Sequence, residues 1–211
     1  MRPTDTHIAA RARQVIAALC ICISLSAQVT DRDLFDAYLK EDMSVWKEYI
    51  DNLSTFHTAL ADRQNFQLSA LLYEYGYCGY IVSADKEAAK PYVRRFKEHI
   101  EAQKTSLPKG HYEMWMSAVL VFELRLKESI HPIKAMSLAK EATKLAPNDP
   151  VVLSYYGTCL FYAPKPFGSK AEALEWFEAA QARFGGDEWK YSWLREANEM
   201  YINQCREKLK K

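Results

Sequence analysis

Apolar residues recur every three or four positions along most of the chain, with polar residues between them. The clearest stretch is 132–184, where this period predicts three helices separated by a stop at 146–150 and a Pro/Gly-rich loop at 163–170. The recurring small and apolar positions of these helices are Ala135, Ala139 and Ala142; Leu153, Tyr156, Gly157 and Leu160; and Ala173, Phe177 and Ala180. This pattern is typical of stacked helical hairpins.

The same period predicts helices on both sides of this stretch. Two short helices come first, longer ones cover 63–82, 86–104 and 111–127, and a last one follows 184–187. The short helices carry the apolar stripes Leu34, Phe35, Tyr38 and Leu39, and Trp46, Tyr49, Ile50 and Leu53. No segment alternates with period two for long enough to form a strand. The sequence therefore predicts an all-α fold of about nine helices joined by short loops.

Residues that start or stop helices mark the expected boundaries. Thr30 and Asp31 are an expected N-cap, and Pro132 suits the first position of a helix. The segments 83–85 and 106–110 are expected breaks.

The N-terminal segment differs from the rest of the chain. Arg2, Arg11 and Arg13 precede an apolar run over 15–25, and small residues follow up to Ala27. This layout predicts a secretory signal peptide over 1–27, cleaved near Ala27, and a single helical domain over 28–211. The run is shorter than the ~20 apolar residues of a transmembrane helix, so no membrane span is expected after cleavage. An uncleaved anchor and a buried helix are the alternatives.

Composition and charge indicate a globular protein without an overall basic surface. The chain has 211 residues, of which 49% are apolar and 26% charged, as expected for one globular domain with a sizeable core. Residues 1–27 carry three arginines and one aspartate, a charge of +2, so the remaining residues carry about −1 of the total of +1. We therefore expect no overall basic field to attract nucleic acid or an anionic membrane surface.

Three of the five cysteines lie after residue 27, namely Cys78, Cys159 and Cys205. Their spacing matches no zinc pattern, and an odd number leaves at least one thiol without a partner in the chain. We expect them to be small buried apolar residues.

A repeat links the predicted helices. The pattern Leu153-x2-Tyr156-Gly157-x2-Leu160, followed by Ala173-x3-Phe177-x2-Ala180, resembles the tetratricopeptide repeat. Residues 112–184 carry the clearest resemblance, and 60–104 contain a weaker copy around Gly76. The resemblance implies a superhelix of helical hairpins, an α-solenoid, with capping helices at both ends. Gly76 and Gly157 would then let the two helices of a hairpin approach closely.

The spacing of the repeat departs from the family pattern. Ala88, Ala135 and Ala173 are separated by 47 and 38 residues, whereas the regular motif repeats every 34. The hairpin loops are therefore longer than usual, most plainly at 163–170. This Pro-x-Phe-Gly loop before an alanine-rich helix is similar to small exported TPR-like proteins of Gram-negative bacteria, which implies a periplasmic or secreted location. An ordinary antiparallel bundle is the competing interpretation.

Residues with catalytic potential form no known motif. The sequence has no G-x-S-x-G, H-E-x-x-H or C-x-x-C pattern. The histidines after residue 27 lie far apart and are expected at helix ends or on polar faces, and Glu123 and Glu128 are expected on a solvated face. We therefore predict no catalytic residues, no metal site and no cofactor.

Aromatic residues are the best candidates for binding. In the implied superhelix the first helix of each hairpin lines the concave groove, which would place Tyr73, Tyr77 and Tyr80 there. The equivalent positions in later hairpins are Met116, Leu120 and Glu123, and Ser154, Thr158 and Phe161, with Tyr162 beside them. Tyrosine combines an apolar ring with a polar tip, which suits recognition of a protein or peptide. The alternative is that the three early tyrosines pack against the N-terminal helices.

Three hypotheses about function follow. The leading one is a non-catalytic, exported scaffold that binds a protein or peptide partner, and its oligomeric state is left open. The alternative is a solute-binding accessory protein of envelope transport with an enclosed aromatic pocket. The third is an enzyme. An open groove would favour the first, a closed pocket around Tyr77 and Phe161 the second, and a buried acid tightly coupled to a histidine the third.

Overall fold

A computed structural model describes residues 31–40, 42–52, 63–185 and 192–210 of the protein. Within these ranges the structure consists of helices and connecting loops, without a strand, which confirms the predicted all-α fold. The helices are α1 (Asp31–Leu39), α2 (Met43–Asp51), α3 (Arg63–Ala84), α4 (Lys86–Gln103), α5 (His111–Leu126), α6 (Pro132–Leu145), α7 (Pro150–Tyr162), α8 (Lys170–Gln181) and α9 (Ser192–Leu209). The predicted signal peptide and the predicted cap Thr30 lie outside the described residues.

The helix boundaries follow local signals in the sequence. Asp85 separates α3 from α4 and caps α4, because its side chain accepts hydrogen bonds from the amides of Glu87 and Ala88. Asp149 caps α7 in the same way, and Ser169 caps α8. Pro132 is the first residue of α6, where its missing N–H costs no hydrogen bond.

Consecutive helices form antiparallel pairs. The most extensive contacts join α7 with α8 and α5 with α6, and those between α3 and α4 are also extensive. Gly110, which precedes α5, lies against Ala142 near the end of α6. Similarly, Arg183 after α8 donates a hydrogen bond of 3.3 Å to Asn148 before α7. The chain therefore folds into three successive hairpins.

The first helices of the hairpins, α3, α5 and α7, lie side by side and point in the same direction. Near their C-terminal ends, the Arg125 guanidinium donates to the hydroxyl of Ser83. Near the middle of the helices, the Tyr155 hydroxyl of α7 donates a hydrogen bond of 2.9 Å to the hydroxyl of Ser117 in α5. The loops that follow these three helices consequently lie at one end of the fold.

Small residues make the close approaches, as the sequence predicts, but not always between the expected partners. A β-carbon at Gly157 would lie 2.9 Å from the Phe177 ring of the partner helix α8. A β-carbon at Gly76 would instead collide with Trp46 of α2. Gly157 therefore allows close packing of its hairpin partner α8, whereas Gly76 allows close packing of α2, which precedes the hairpin.

The first and the last of the described helices contact each other. Helix α2 packs on α3, and α9 packs on α8 and also contacts α7. Helix α1 contacts both α2 and α9, which brings residues 31–39 against 192–209. Most buried apolar side chains form one continuous cluster that includes residues of all these helices.

No helix in the part of the chain that the structure describes is both long and apolar enough to cross a membrane.

Candidate functional site

Two of the predicted groove tyrosines are buried against neighbouring helices. Tyr73 packs edge-on against Trp46 and Tyr49 of α2, with ring centroids 5.6 and 5.1 Å away. Tyr77 packs against Tyr92 of α4 at 4.9 Å. Tyr73 thus packs against an N-terminal helix, which was the alternative to a place in the groove. Tyr77 lies inside its own hairpin.

The other predicted positions on the first two hairpins do not converge. Tyr80 is exposed one turn before the end of α3. Met116 is partly buried against the core. Glu123 pairs with Lys97 of α4 over 3.0 Å, and both line an open cleft of about 180 Å³ with Lys90, Val93, Arg94 and Glu128. This cleft carries charges of both signs and does not include the aromatic candidates.

The predicted positions in the last hairpin do lie together. The rings of Phe161 and Tyr162 are 5.0 Å apart, and both contact Tyr201 of α9, at 5.7 and 6.2 Å. Thr158 lies one turn earlier and donates a hydrogen bond to the carbonyl of Ser154. Phe161 is buried, whereas Tyr162 is 66% exposed.

Four tyrosines from four helices lie within electrostatic range of one another, and two of them, Tyr162 and Tyr201, contact Phe161. We call Tyr38 of α1, Tyr75 of α3, Tyr162 of α7 and Tyr201 of α9 the tyrosine cluster. Burial chiefly raises the pKa of Tyr201, and the neighbouring hydroxyls of Tyr162, Tyr75 and Tyr38 raise it further. Burial followed by the same kind of neighbour effect, from Tyr162, raises the pKa of Tyr38. The hydroxyls of Tyr38, Tyr75 and Tyr201 therefore stay protonated at neutral pH, as hydrogen-bond donors and acceptors.

A fixed aromatic wall supports the cluster. The Tyr75 ring lies 5.7 Å from Trp115, 5.7 Å from Phe122 and 5.8 Å from Tyr155. The Tyr201 ring stacks on Phe177 at 5.1 Å. Because these neighbours are core residues, the inner members of the cluster are held in place, whereas Tyr38 and Tyr162 reach solvent.

The sequence contained a weak signal for this cluster. Three of the four tyrosines lie in apolar stripes, because Tyr38 follows Leu34, Tyr75 follows Leu71 and Leu72, and Tyr201 lies between Ala197 and Cys205 at helical spacing. Such stripes assign these tyrosines to the core. Their hydroxyls distinguish them from the leucines and alanines of the same stripes, because a buried tyrosine needs a partner for its polar tip. What the sequence does not show is that three separate stripes meet.

Two lysines lie beside the cluster. The Nζ atoms of Lys170 and Lys208 lie 4.0 and 4.6 Å from the centroid of the Phe161 ring, as in cation–π contacts. Burial, and then the charge of Lys208, lower the pKa of Lys170. The tyrosine cluster thus has a cationic border on the side of α8 and α9.

Two histidines contact carboxylates away from the cluster. His99 Nδ1 lies 2.9 Å from the buried carboxylate of Glu74, whose other oxygen is 3.3 Å from Arg95. His111 Nε2 lies 2.9 Å from Asp149, the cap of α7. Within the described ranges neither imidazole is hydrogen-bonded to a serine, threonine or cysteine that could act as a nucleophile. Each pair joins two helices.

In the described part of the chain, no group of three or more His, Cys, Asp or Glu side chains is arranged to hold a metal ion. Comparison with protein-family models, with curated proteins and with solved structures finds no match for this chain.

Proposed function

We propose that the protein is an exported, TPR-like superhelix of helical hairpins that binds a protein or peptide partner without catalysis. Three hairpins whose first helices lie side by side support the superhelix. The basic and apolar leader over 1–27 supports export to the periplasm or the medium. Neither argument names the partner, so the binding surface must be inferred from side chains.

The tyrosine cluster is the observation that carries this proposal. It combines aromatic faces, hydroxyl groups and partial exposure, with Tyr38 42% and Tyr162 66% exposed. Buried or half-buried tyrosines supply a large contact area at a small loss of conformational entropy, which makes them frequent anchors of protein interfaces. The cluster would bind an extended segment through ring contacts and through hydrogen bonds to its carbonyl groups.

The two histidine–carboxylate pairs fit a non-catalytic protein. Asp149 is already engaged as the cap of α7, and Glu74 is already engaged by Arg95. A base in such a pair would need a nucleophile or a substrate pocket beside the imidazole. We therefore assign both pairs to the joining of helices.

Binding of a small solute is the second candidate. The contact between α1 and α9 favours it, because it brings the two ends of the helical array together beside the cluster. A solute held there would touch tyrosines from both ends of the chain, whereas a peptide would need an open path across the surface.

Site-specific crosslinking tests the proposal. A photoreactive phenylalanine analogue replaces Tyr162 in one variant and Leu145, which is also exposed but at the opposite end of the fold, in a second. We expect a discrete protein adduct in the cell envelope from position 162 and none from 145. Tyr38→Ala should reduce that adduct, and with the purified partner Tyr162→Ala should weaken binding about tenfold or more.

The same samples separate the two candidates. A small solute would appear in native mass spectrometry as a bound mass in the wild-type protein that Tyr162→Ala removes. Equal adducts from positions 162 and 145, without a bound mass, would contradict binding at the cluster.

A further inference from the structure

The end of the fold that carries the hairpin loops has an unusual surface. We call residues 125–134, between and around α5 and α6, and residues 162–170, between α7 and α8, the loop rim. Both segments lie at the same end of the fold, because α5 and α7 contact each other and His111 at the start of α5 meets Asp149 at the start of α7. The rim includes Tyr162, but its other members lie outside the tyrosine cluster.

Three large apolar side chains of the loop rim face solvent. Ile130 is 84% exposed, Ile133 67% and Phe167 51%. In the loops at the opposite end, the apolar residues Leu107 and Ala146 pack against the core instead of facing solvent. There, Leu145 is the one large apolar side chain exposed among the described residues, at 41%. Grouped exposed apolar residues on one side of a protein indicate an interaction surface.

The backbone holds these side chains in their exposed positions. The amides of Phe167 and Gly168 donate to the Pro164 carbonyl over 2.9 and 3.1 Å. Gly168 folds so tightly over the end of α7 that a β-carbon would collide with the Ala163 carbonyl. In the other loop, Lys127 adopts a left-handed φ of 64°, and the Glu128 amide donates to the Glu123 carbonyl over 2.8 Å. Both loops are therefore closed turns that present an apolar tip.

Cations flank each tip. Residues 125–134 contain Arg125, Lys127 and Lys134 against the single acid Glu128, and residues 162–170 contain Lys165 and Lys170 and no acid. The rim is thus locally basic, although the chain as a whole is close to neutral. The net charge of the whole chain does not show this local excess of cations, because acidic residues elsewhere offset it.

We propose that the loop rim docks the protein onto an anionic membrane surface. Ile130, Ile133 and Phe167 would enter the interface between head groups and acyl chains, while the lysines stay at the level of the lipid phosphates. This combination distinguishes a bilayer from a protein partner, because a bilayer rewards apolar tips and basic flanks without requiring a complementary shape. The contact is peripheral and uses side chains of two ordered turns and of the first turn of α6.

Vesicle flotation tests the proposal with the full chain. The probes are vesicles of equal parts phosphatidylethanolamine and phosphatidylglycerol, and vesicles of phosphatidylcholine alone. We expect binding to the anionic vesicles that added salt weakens. Lys134→Gln and Lys165→Gln should each lower the apparent affinity about fivefold. The triple change Ile130→Ser, Ile133→Ser and Phe167→Ser should lower it about tenfold or more.

Leu145→Ser is the matched control and should leave the affinity unchanged. Residues 15–25 are the same in every variant, so a difference between variants cannot come from that apolar run. Equal binding of the triple variant, the control and the wild type would overturn the proposal, as would equal binding to both kinds of vesicle.

Tryptophan substitution supplies a second measurement that remains informative if the apolar run dominates flotation. Ile133→Trp and Phe167→Trp should add fluorescence that brominated lipids quench beyond the wild-type level, and Leu145→Trp should not. Equal added quenching at all three positions, or none at 133 and 167, would overturn membrane docking and leave the tyrosine cluster unaffected. Binding of the rim to a purified protein without any vesicle binding would do the same.

Discussion

Gly157 lies directly against the aromatic ring of Phe177, so that a β-carbon at position 157 would come within 2.9 Å of two ring carbons. Phe177 is fully buried and stacks on Tyr201, so its ring has little freedom to retreat. The hairpin of α7 and α8 therefore depends on the absence of a side chain at this position.

Gly157→Ala should lower the free energy of unfolding by about 1–3 kcal/mol, because the added methyl group overpacks the core. Urea denaturation monitored by circular dichroism measures the change. An unchanged denaturation midpoint would contradict the packing of Phe177 against this glycine.

Gly79→Ala is the matched control for the glycine experiment. A β-carbon there would make an ordinary contact of 3.9 Å with Phe122, and alanine favours a helix over glycine by about 0.5–1 kcal/mol. We therefore expect Gly79→Ala to stabilise the fold. Gly76→Ala should destabilise it, since its methyl group would meet Trp46.

Asp149 predicts a dependence of stability on acid pH. Burial by itself would raise the pKa of this carboxyl, but the hydrogen bond and charge of His111, together with the amides of Val152 and Val151, hold it below its ordinary value. A carboxyl whose pKa is lowered in the folded state stabilises the fold above its unfolded pKa of about 3.9 and loses this contribution as the pH falls further. Asp149→Asn should retain the cap and abolish this part of the acid dependence.

Asp85 provides the comparison for Asp149. It caps α4 through two amides of the same kind but is exposed, and no histidine among the described residues reinforces its cap. Asp85→Ala should cost about 1 kcal/mol, the usual value of an N-cap. Asp149→Ala should cost more, because it also leaves the buried His111 without its partner. Equal costs in urea denaturation at neutral pH would argue against a stabilising contact with His111.

Because tyrosines are buried in the core, we expect the free energy of unfolding to fall at alkaline pH. Burial chiefly raises the pKa of Tyr75, Tyr155 and Tyr201 in the folded state. Their neutral forms therefore favour the fold below about pH 10, and this contribution is lost as the pH rises and the unfolded chain ionises. Because the buried phenols ionise less readily than those of the unfolded chain, we expect part of the ultraviolet absorbance of phenolate to appear only with unfolding.

Phenylalanine variants separate this effect from a general alkaline loss of structure. The double change Tyr75→Phe and Tyr201→Phe should flatten the decline of stability above pH 10 relative to its value at pH 7. The same decline in the double variant and the wild type would mean that other groups cause it.

Cysteine reactivity tests the burial of the three thiols. Burial chiefly raises the pKa of Cys78 and of Cys205, and it raises that of Cys159 to about 11. Because the thiolate is the reactive form, alkylation of the folded protein at pH 8 should be about a hundredfold slower than for a free cysteine. Peptide mass spectrometry measures the rate at each position. Equal rates in the folded protein and in urea would contradict burial of that thiol.

Helix positions were predictable because their signals are local. Asp85, Pro132 and the breaker before Gly110 act on the few residues around them, and the structure places helix ends at these points. The contact of Gly157 with its hairpin partner was also predictable, since small and large residues alternate between adjacent helices of a repeat.

The position of the candidate site was not predictable in the same way. Helix α3 is apolar on nearly every side, so its period cannot show which tyrosine faces which neighbour. The structure turns Tyr73 toward α2 and Tyr75 toward α5 and α7. The approach of Tyr38 to Tyr201 depends on the contact between α1 and α9, which are far apart in sequence, and no local pattern encodes that contact.

The contact between α1 and α9 fixes the length of the array. In an open row of repeats each unit touches only its neighbours, so units can be gained or lost at the ends. Here an added or deleted hairpin would separate the two terminal helices. During synthesis, α1 leaves the ribosome long before α9 exists, and the contact between them can form only after α9 has been made.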